Sequence, residues 1–586
     1  MVVFVLEKSI KRIIQNKLTL QGLLGIIFLT NILESIMELT VKMLPNEHWW
    51  GGDVNNSNYM PYDATTEKFI TTAGRGRITC QSAPFFLSDK GRYIWSDKGF
   101  DITFDKGEIK CKGELPIILD DSGKTLRDAF INAKRDRFPF TDGLTTEKLF
   151  YEVPQFNTWV ELIKDQTEEG ILRYAEGLYA NGYTKGILMI DDGWQKEHGS
   201  WQFDPDKFKD PKGMIKKLHD MGFKIMLWIS PYISLSSDRF LDLARDHGIE
   251  TETGHILRLK DGRVAIHKWW NGYCAMFDLT KEGDRQALKE QLDVLVNEYG
   301  VDGFKFDGGD YTWKPINEID TFEVEGALGG ASDAGVFAGA RDPMRYGWRL
   351  VDVKVPTVDE LNEAWVTFGM QYPFHEFKNH HKTGHLHLIT RLFDKAHKWG
   401  ESGLKDLIPQ GILVGVLGFP FLCPDMVGGG SWTYFTQENL SKLDHDLFVR
   451  MAQCSALFPM MQFSAAPWRV LSKEHAGYCL DMARLHEKMS GYIIEQVEKS
   501  EVTGEPILRN MEYQFPNEGL FDNKEQFMLG DKYLVAPVLE KGAVTKKVAF
   551  PKGEWKCMNT GKIYQGGTTI EVDAPINVLP YFEYLG

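Results

Sequence analysis

The chain has 586 residues, too many for one ordinary domain and enough for a large barrel with flanking domains. With 43% hydrophobic and 25% charged residues it reads as a soluble, globular protein. Its net charge of −15 argues against nucleic acid as a partner, because phosphate binding needs a concentrated Lys/Arg surface.

Residues 1–36 read as a leader or extension. Lys8, Lys11, Arg12 and Lys17 precede an apolar stretch from Leu18 to Ile36 that Gln21, Thr30, Asn31 and Glu34 interrupt. It falls short of the roughly 18–20 clean apolar residues of a membrane span, and no small-residue cleavage site follows it. An amphipathic leader, a weak signal-anchor and an extension upstream of a start at Met37 all fit, so membrane association is open only through this segment. Asn55-Asn56-Ser57 and Asn439-Leu440-Ser441 are glycosylation sequons of a kind that also arises by chance. The cysteines at 80, 111, 274, 423, 454, 479 and 557 show no CxxC or Cys/His pairing of the zinc type. Their scatter predicts buried free thiols without a disulfide framework, which favours the cytoplasm; the signal-anchor reading would favour a membrane or secretory setting instead.

Over 37–152, period-two runs such as GRYIWS and FDITFDKGEIKCKG, bounded by Gly and Asp, predict an antiparallel β-sandwich. Over 153–478, helical segments such as TEEGILRYAEGLYANG and DPKGMIKKLHDMG precede short apolar runs, GILMIDD, FKIMLWISP and VDGFKFDGG. That alternation is the signature of a parallel sheet, and the expected fold is α/β, a (β/α)8 TIM barrel. A Gly/Ala-rich stretch at about 322–356 is too long for an ordinary loop and reads as an insertion. Over 479–586 a helix and a return to β character, FMLGDKYLVAPVLEKG and KKVAFPKGEWKC, predict a second, C-terminal β-sandwich.

Asp191, Asp192, Trp228, Asp307, Asp394 and Asp425 stand where the predicted barrel strands end, the rim that carries chemistry in parallel barrels. Helix capping explains one such acid, but four or five at one rim repel each other. Cleaving a glycosidic bond takes two carboxyl groups, one to attack the anomeric carbon or activate water and one to protonate the leaving oxygen. In the segment Val301-Asp302-Gly303-Phe304-Lys305-Phe306-Asp307-Gly308-Gly309-Asp310 a buried β-strand delivers Asp307 to the rim, and the glycines after it let the backbone turn away. Lys305, two residues earlier on the same strand face, could keep Asp307 ionised and bind a hydroxyl, whereas Asp310 reads equally well as a turn cap. The 16 Trp, 21 Tyr and 36 Phe suit stacking on sugar rings, and a large β-rich core uses them equally well.

FKFDGGD resembles the nucleophile strand of glycoside hydrolase family 31. IDDGWQ, WWNGY, RLFDKAHKWG, LGFPFLCPDMVGG, MMQFSAAPWR, EHWWGG and GDKYLVAPVLEKGAVTKKVAFPKGEW are together similar to the branch of that family that contains the myogenesis-regulating glycosidase. The resemblance covers roughly residues 45–320 and 357–586. It implies a retaining α-glycosidase without cofactor or metal, taking a small carbohydrate or glycoside. α-Galactosides come first, with α-glucosides or α-xylosides as alternatives, and an inactive glycosidase-like binding protein is the reading from another class. It implies Asp307 as nucleophile and Asp394 as general acid/base, with Glu401 as runner-up because other members place the acid after a Trp-x-Gly stretch. A protonated Asp394 is then expected, its pKa raised by apolar surroundings and by the Asp307 charge. Asp191, Asp192, Arg391 and Asp425 match subsite residues; Trp194, Trp228, Trp270 and Trp399 are candidate pocket walls for which core packing is an equal reading. The resemblance also implies that Trp49, Trp50 and Asp53 reach the pocket from the first β domain, on a loop similar to the family's. The histidines at 375, 380, 381, 385 and 387 offer nitrogens without a complementary ligand set, and strand alternation before Arg391 accounts for His385 and His387 more simply.

Overall fold

The computed structural model describes residues 37–75, 78, 80–141, 143–245, 256–258, 264–269, 271–309 and 356–586. The leader at 1–36, Trp270, Asp310 and all but the last residue of the 322–356 insertion lie outside the described residues.

The barrel forms from eight parallel strands: β1 (Gln155–Asn157), β2 (Ile187–Ile190), β3 (Lys224–Ile229), β4 (Gly303–Phe306), β5 (Phe374–Phe377), β6 (Thr390–Arg391), β7 (Leu422–Cys423) and β8 (Gln462–Phe463). β2 and β4 are buried at every position, as strands covered on both faces must be. Neighbours pair in chain order, β8 pairs back onto β1, and a single bridge between Val427 and Phe463 links β7 to β8. The ring is nearly closed.

Helices cross over the outside after most strands. One of them, Glu168–Ala180, is capped by Thr167 accepting from the Gly170 N–H, with Glu168 and Glu169 facing the positive end of its dipole. Between β5 and β6 the crossover is not helical. Instead His380–His381 leaves the barrel and pairs, parallel, with Gln81–Ser82 of the first β domain. The expected alternating strand through His385 and His387 is therefore corrected, since β6 is only Thr390–Arg391. His387 sits in the connecting segment, its ring stacked on Phe140 at 4.0 Å and its Nε2 3.0 Å from the Glu501 carbonyl. After β3 the chain inserts a three-stranded antiparallel sheet of Tyr232–Ser234, His267–Trp269 and Gly272–Met276.

The first β domain packs a four-stranded sheet against a second sheet built on Gln81–Ser88. The strand Phe100–Asp105 alternates buried and less buried positions, and its Phe100 and Phe104 rings meet Phe86 from the second sheet at 6.0 and 5.7 Å. Its last strand ends at Asp120, and a helix, Leu126–Arg137, follows under a capping box of Thr125 and Asp128.

At the other end a 31-residue helix, Lys473–Thr503, runs from an N-cap at Ser472 to Gly504, whose φ of 74° gives the left-handed stop. Beyond it a six-stranded antiparallel sheet and a two-stranded one enclose a separate core of Met528, Leu534, Phe550, Trp555 and Phe582. All seven cysteines are buried thiols. No described helix is long and apolar enough to cross a membrane.

Candidate active site

The strand ends bring Asp307, Lys305, Lys378, Arg391, Asp394, Asp425 and Asp191 into one connected charge network. Asp307 follows β4 directly, and its backbone N–H donates to the Ile229 carbonyl of β3. The Trp228 indole N–H donates to Oδ2 at 3.1 Å, and the Gly308 N–H donates to Oδ1 at 2.8 Å. Gly308 has a φ of +74°, and a Cβ there would come within 2.9 Å of the Tyr232 ring, so glycine is required for the backbone to turn under the carboxylate. Burial pushes the Asp307 carboxyl up, but the ammonium groups of Lys378 and Lys305 outweigh it and hold the pKa below the ordinary value.

Lys378 stands one residue beyond β5. Its Nζ lies 3.6 Å from Asp307 Oδ2 and donates to Asp394 Oδ2 at 3.0 Å, so one ammonium spans two carboxylates. Burial works against that charge, while Asp307 and Asp394 raise the Lys378 pKa beyond its ordinary value and keep it protonated. Asp394 also accepts from both terminal nitrogens of Arg391 at 3.1 Å. The expectation of a raised Asp394 pKa is overturned. Burial does push upward, but Lys378 and Arg391 together hold the carboxyl far below the usual range.

Arg391 is fully enclosed between Asp394, Asp425 at 2.6 Å and Glu376 at 3.3 Å. Asp425 spends its second oxygen on the Lys395 and Gly430 backbone N–H groups, at 2.5 and 2.7 Å. It therefore anchors Arg391. Its carboxyl, like that of Glu376, is raised first by burial, against the lowering effect of Arg391.

On the facing strands, Asp191 accepts from Lys305 Nζ at 2.7 Å and from Asn157 at 2.9 Å, and the Asp192 N–H reaches its other oxygen at 2.8 Å. Lys305 thus contacts Asp191 and acts on Asp307 through its field. Asp192 meets His198 Nε2 at 2.6 Å and Asn271 Nδ2 at 3.2 Å. Trp228 and Trp269 lie stacked, 6.1 Å apart, with the His198 ring edge-on to both.

The other candidates divide. Trp194 is wholly buried, donating from its indole to the Trp228 carbonyl, so in this conformation it supports the rim without facing open space. Trp399 donates to Asp444 at 2.9 Å. Trp49 and Trp50 are buried in the first β domain, and Asp53 ends that strand opposite Ser82, capping the next turn through the Asn55 N–H. Glu401 is exposed, 10 residues beyond Arg391 in sequence. Trp270 cannot be placed, lying outside the described residues. The histidines at 375, 380, 381 and 387 each have a ring nitrogen at a backbone or hydroxyl partner. Lys378, Glu376, Gln81, His198 and Trp269 were not singled out by the sequence.

Gly430 closes the site from behind. A Cβ there would fall 2.7 Å from Asp394 Oδ1 and 2.9 Å from its Cβ. Because the Asp394 Cβ cannot swing aside like a chain end, Gly430→Ala is expected to displace the carboxylate and lower kcat/KM by about 10–100-fold. Circular dichroism should be unchanged, and steady-state kinetics on any accepted substrate checks the loss.

Glycosyl hydrolases family 31 TIM-barrel domain is the family model that residues 155–334 match, and residues 504–584 match the glycosyl hydrolase family 31 C-terminal domain. Both matched segments are glycosyl hydrolase family 31 domains. It is 28% identical over 439 residues to the myogenesis-regulating glycosidase of Mus musculus, covering 74% of this chain and 56% of that one. It is 26% identical to a 1,3-alpha-isomaltosidase of Kribbella flavida, over 71% of this chain and 54% of that one. Among solved structures, a Flavobacterium johnsoniae GH31 dextranase complexed with glucose superposes with a TM-score of 0.74 at 20% identity, covering 94% of this chain and 66% of that one. A GH31 alpha-xylosidase from a soil metagenome, complexed with xylose, gives 0.71 at 16% identity, over 94% of this chain and 79% of that one. The chain spans little more than half the length of these two curated relatives.

Proposed function

We propose that this protein is a retaining α-glycosidase that removes terminal α-linked sugars by double displacement, with Asp307 as nucleophile and Asp394 as general acid/base. The observation that carries the reading is the ammonium of Lys378 between the two carboxylates. Their facing oxygens are no farther apart than the two Lys378 distances laid end to end. That ceiling sits at the lower edge of the ~6.5–9.5 Å span of inverting pairs and leaves room for the ~5–5.5 Å of retaining ones.

In the first step Asp307, ionised and aimed by the Trp228 and Gly308 N–H groups, attacks the anomeric carbon while Asp394 gives a proton to the leaving oxygen. Asp394 has to acquire that proton. The charges of Lys378 and Arg391 oppose it in the free protein, so a sugar hydroxyl drawing Lys378 away is part of the proposal. Water, deprotonated by Asp394, then releases the sugar with its configuration retained. Asp191 and Asp192 are the acceptors proposed for sugar hydroxyls, with the stacked Trp228 and Trp269 beside them.

For the sugar itself, α-galactosides are the first choice through the branch resemblance. The named relatives also include alpha-xylosidases and a 1,3-alpha-isomaltosidase, which keeps α-glucosides and α-xylosides in the panel. A match of 30% identity over 193 residues, 32% of this chain, to the SITS-binding protein of Tetronarce californica keeps a glycosidase-like binding protein as the second reading. Nitrophenyl α-galactoside, α-glucoside and α-xyloside separate the readings, with the product anomer followed by proton NMR. Release of an α-anomer from one of them is expected; no turnover on an extended α-glycoside panel sinks the enzyme reading.

Lys378→Met gives a pH test of the same arrangement. The Asp307 pKa is lowered, so the carboxylate form persists as pH falls until that lowered pKa is reached. Without Lys378 the opposing ammonium is gone and the Asp394 charge raises the Asp307 pKa. The acid limb of kcat/KM against pH is therefore expected to move upward by one unit or more, of the order of the effect of one close charge.

A further inference from the structure

The crossover from β5 to β6 places a residue of the first β domain directly behind the site. Gln81 begins the strand Gln81–Ser88, pairs with His380, and has no exposed surface. Its side-chain amide lies 2.6 Å from the carbonyl of Lys378 and 2.6 Å from the carbonyl of Arg391. Two carbonyls can be satisfied only by the NH2 end, which fixes the amide orientation by chemistry. The amide oxygen is then turned to the Cys80 thiol, which donates to it at 2.7 Å. The Thr390 hydroxyl lies 3.3 Å from the same NH2 group and accepts or donates to His380 at 2.7 Å.

We propose that Gln81 is a positioning residue of the site, an NH2 clamp that sets the spacing of Lys378 and Arg391 and thereby the frame that holds Asp307 and Asp394. The inference rests on the reading of that site as catalytic. Lys378 follows β5 and Arg391 ends the adjacent β6, yet the two strands pair only at Phe377 with Thr390. Past that point the strand ladder no longer ties Lys378 to Arg391, and Gln81 spans both. The fifth crossover lacks a helix to brace it, and the strand pairing to the first β domain stands in that place. The clamp makes the β domain part of the catalytic unit, because one amide links its strand Gln81–Ser88 to the backbone of both cations.

Gln81→Met keeps the length and fills the space while removing both N–H donors. The expected result is a 10–100-fold fall in kcat with KM changed less than threefold, as displacements near 1 Å produce, together with a shifted pH profile. Gln81→Asn keeps an amide that is too short to reach both carbonyls, and its kcat should fall between Met and wild type. It also serves if the Met variant fails to fold. A crystal structure of either variant supplies a readout that needs no turnover: Lys378 Nζ should leave Asp307 or Asp394. Unchanged kcat and pH profile in a folded variant, or a loss of thermal stability alone, would overturn the proposal. So would an unmoved Lys378. A wild-type chain without turnover would instead count against the enzyme reading, and the crystallographic result would still decide the clamp.

Discussion

Asp307→Ala is expected to lower kcat by about 10⁴-fold or more, as loss of a nucleophile does in enzymes that work through a covalent intermediate. Folding should survive, because the lost carboxylate is held by single contacts from Trp228, Gly308 and Lys378 and the shorter side chain leaves no charge unpaired on it. The cavity left behind admits a small anion. With an activated α-glycoside and azide, Asp307→Ala should give the β-glycosyl azide, since the anion enters from the face the carboxylate occupied. The same reagent separates Asp394 from Glu401. Removing the acid/base leaves the glycosyl-enzyme to be attacked from the other face, so its variant should give the α-azide. Asp394→Ala is expected to do so and Glu401→Ala to behave as wild type; gas-phase or NMR identification of the azides reads both out.

The second large effect falls on stability. Arg391→Met removes the one guanidinium that Asp394, Asp425 and Glu376 share. Asp425 and Glu376 are both fully buried, so the change leaves uncompensated charge in the interior and should cost about 3–5 kcal/mol. Both carboxyls already have raised pKa values, and the loss of the cation raises them further. A carboxyl with a raised folded pKa binds more protons when folded than unfolded, so stability rises as pH falls. The gap between variant and wild type is therefore wide at neutral pH and narrows in acid. Calorimetry across that range checks it; an equal gap at every pH contradicts it.

What could be read from the sequence follows from local rules. GILMIDD, FKIMLWISP and VDGFKFDGG announced their strands because each is a short apolar run followed by an acid or turn residue, and Asp191, Asp192 and Asp307 came with them. Lys378 obeys the same rule, one residue past β5, but the strand Phe-His-Glu-Phe carries a histidine and a glutamate and so lacks the unbroken apolar run that marks the others. Its Glu376 is tolerated inside the barrel because Arg391 and Gln462 meet it there. No local pattern could reveal Gln81, whose partners lie 297 and 310 residues away in sequence. The same holds for the Asp394 pKa: its neighbour Arg391 was visible three residues away, but Lys378 follows another strand, and the two cations together reverse the sign expected from burial and Asp307 alone.

The account stands most directly on Asp307 forming a covalent bond to the sugar. A fluorinated glycosyl fluoride of the accepted sugar slows the second displacement and allows the intermediate to accumulate for peptide mass spectrometry. The expected result is one added glycosyl unit per chain, carried by the peptide containing Gly303–Gly309 and localised to Asp307. A label on any other carboxylate, or rapid inactivation-free hydrolysis with release of the β-anomer, would contradict it.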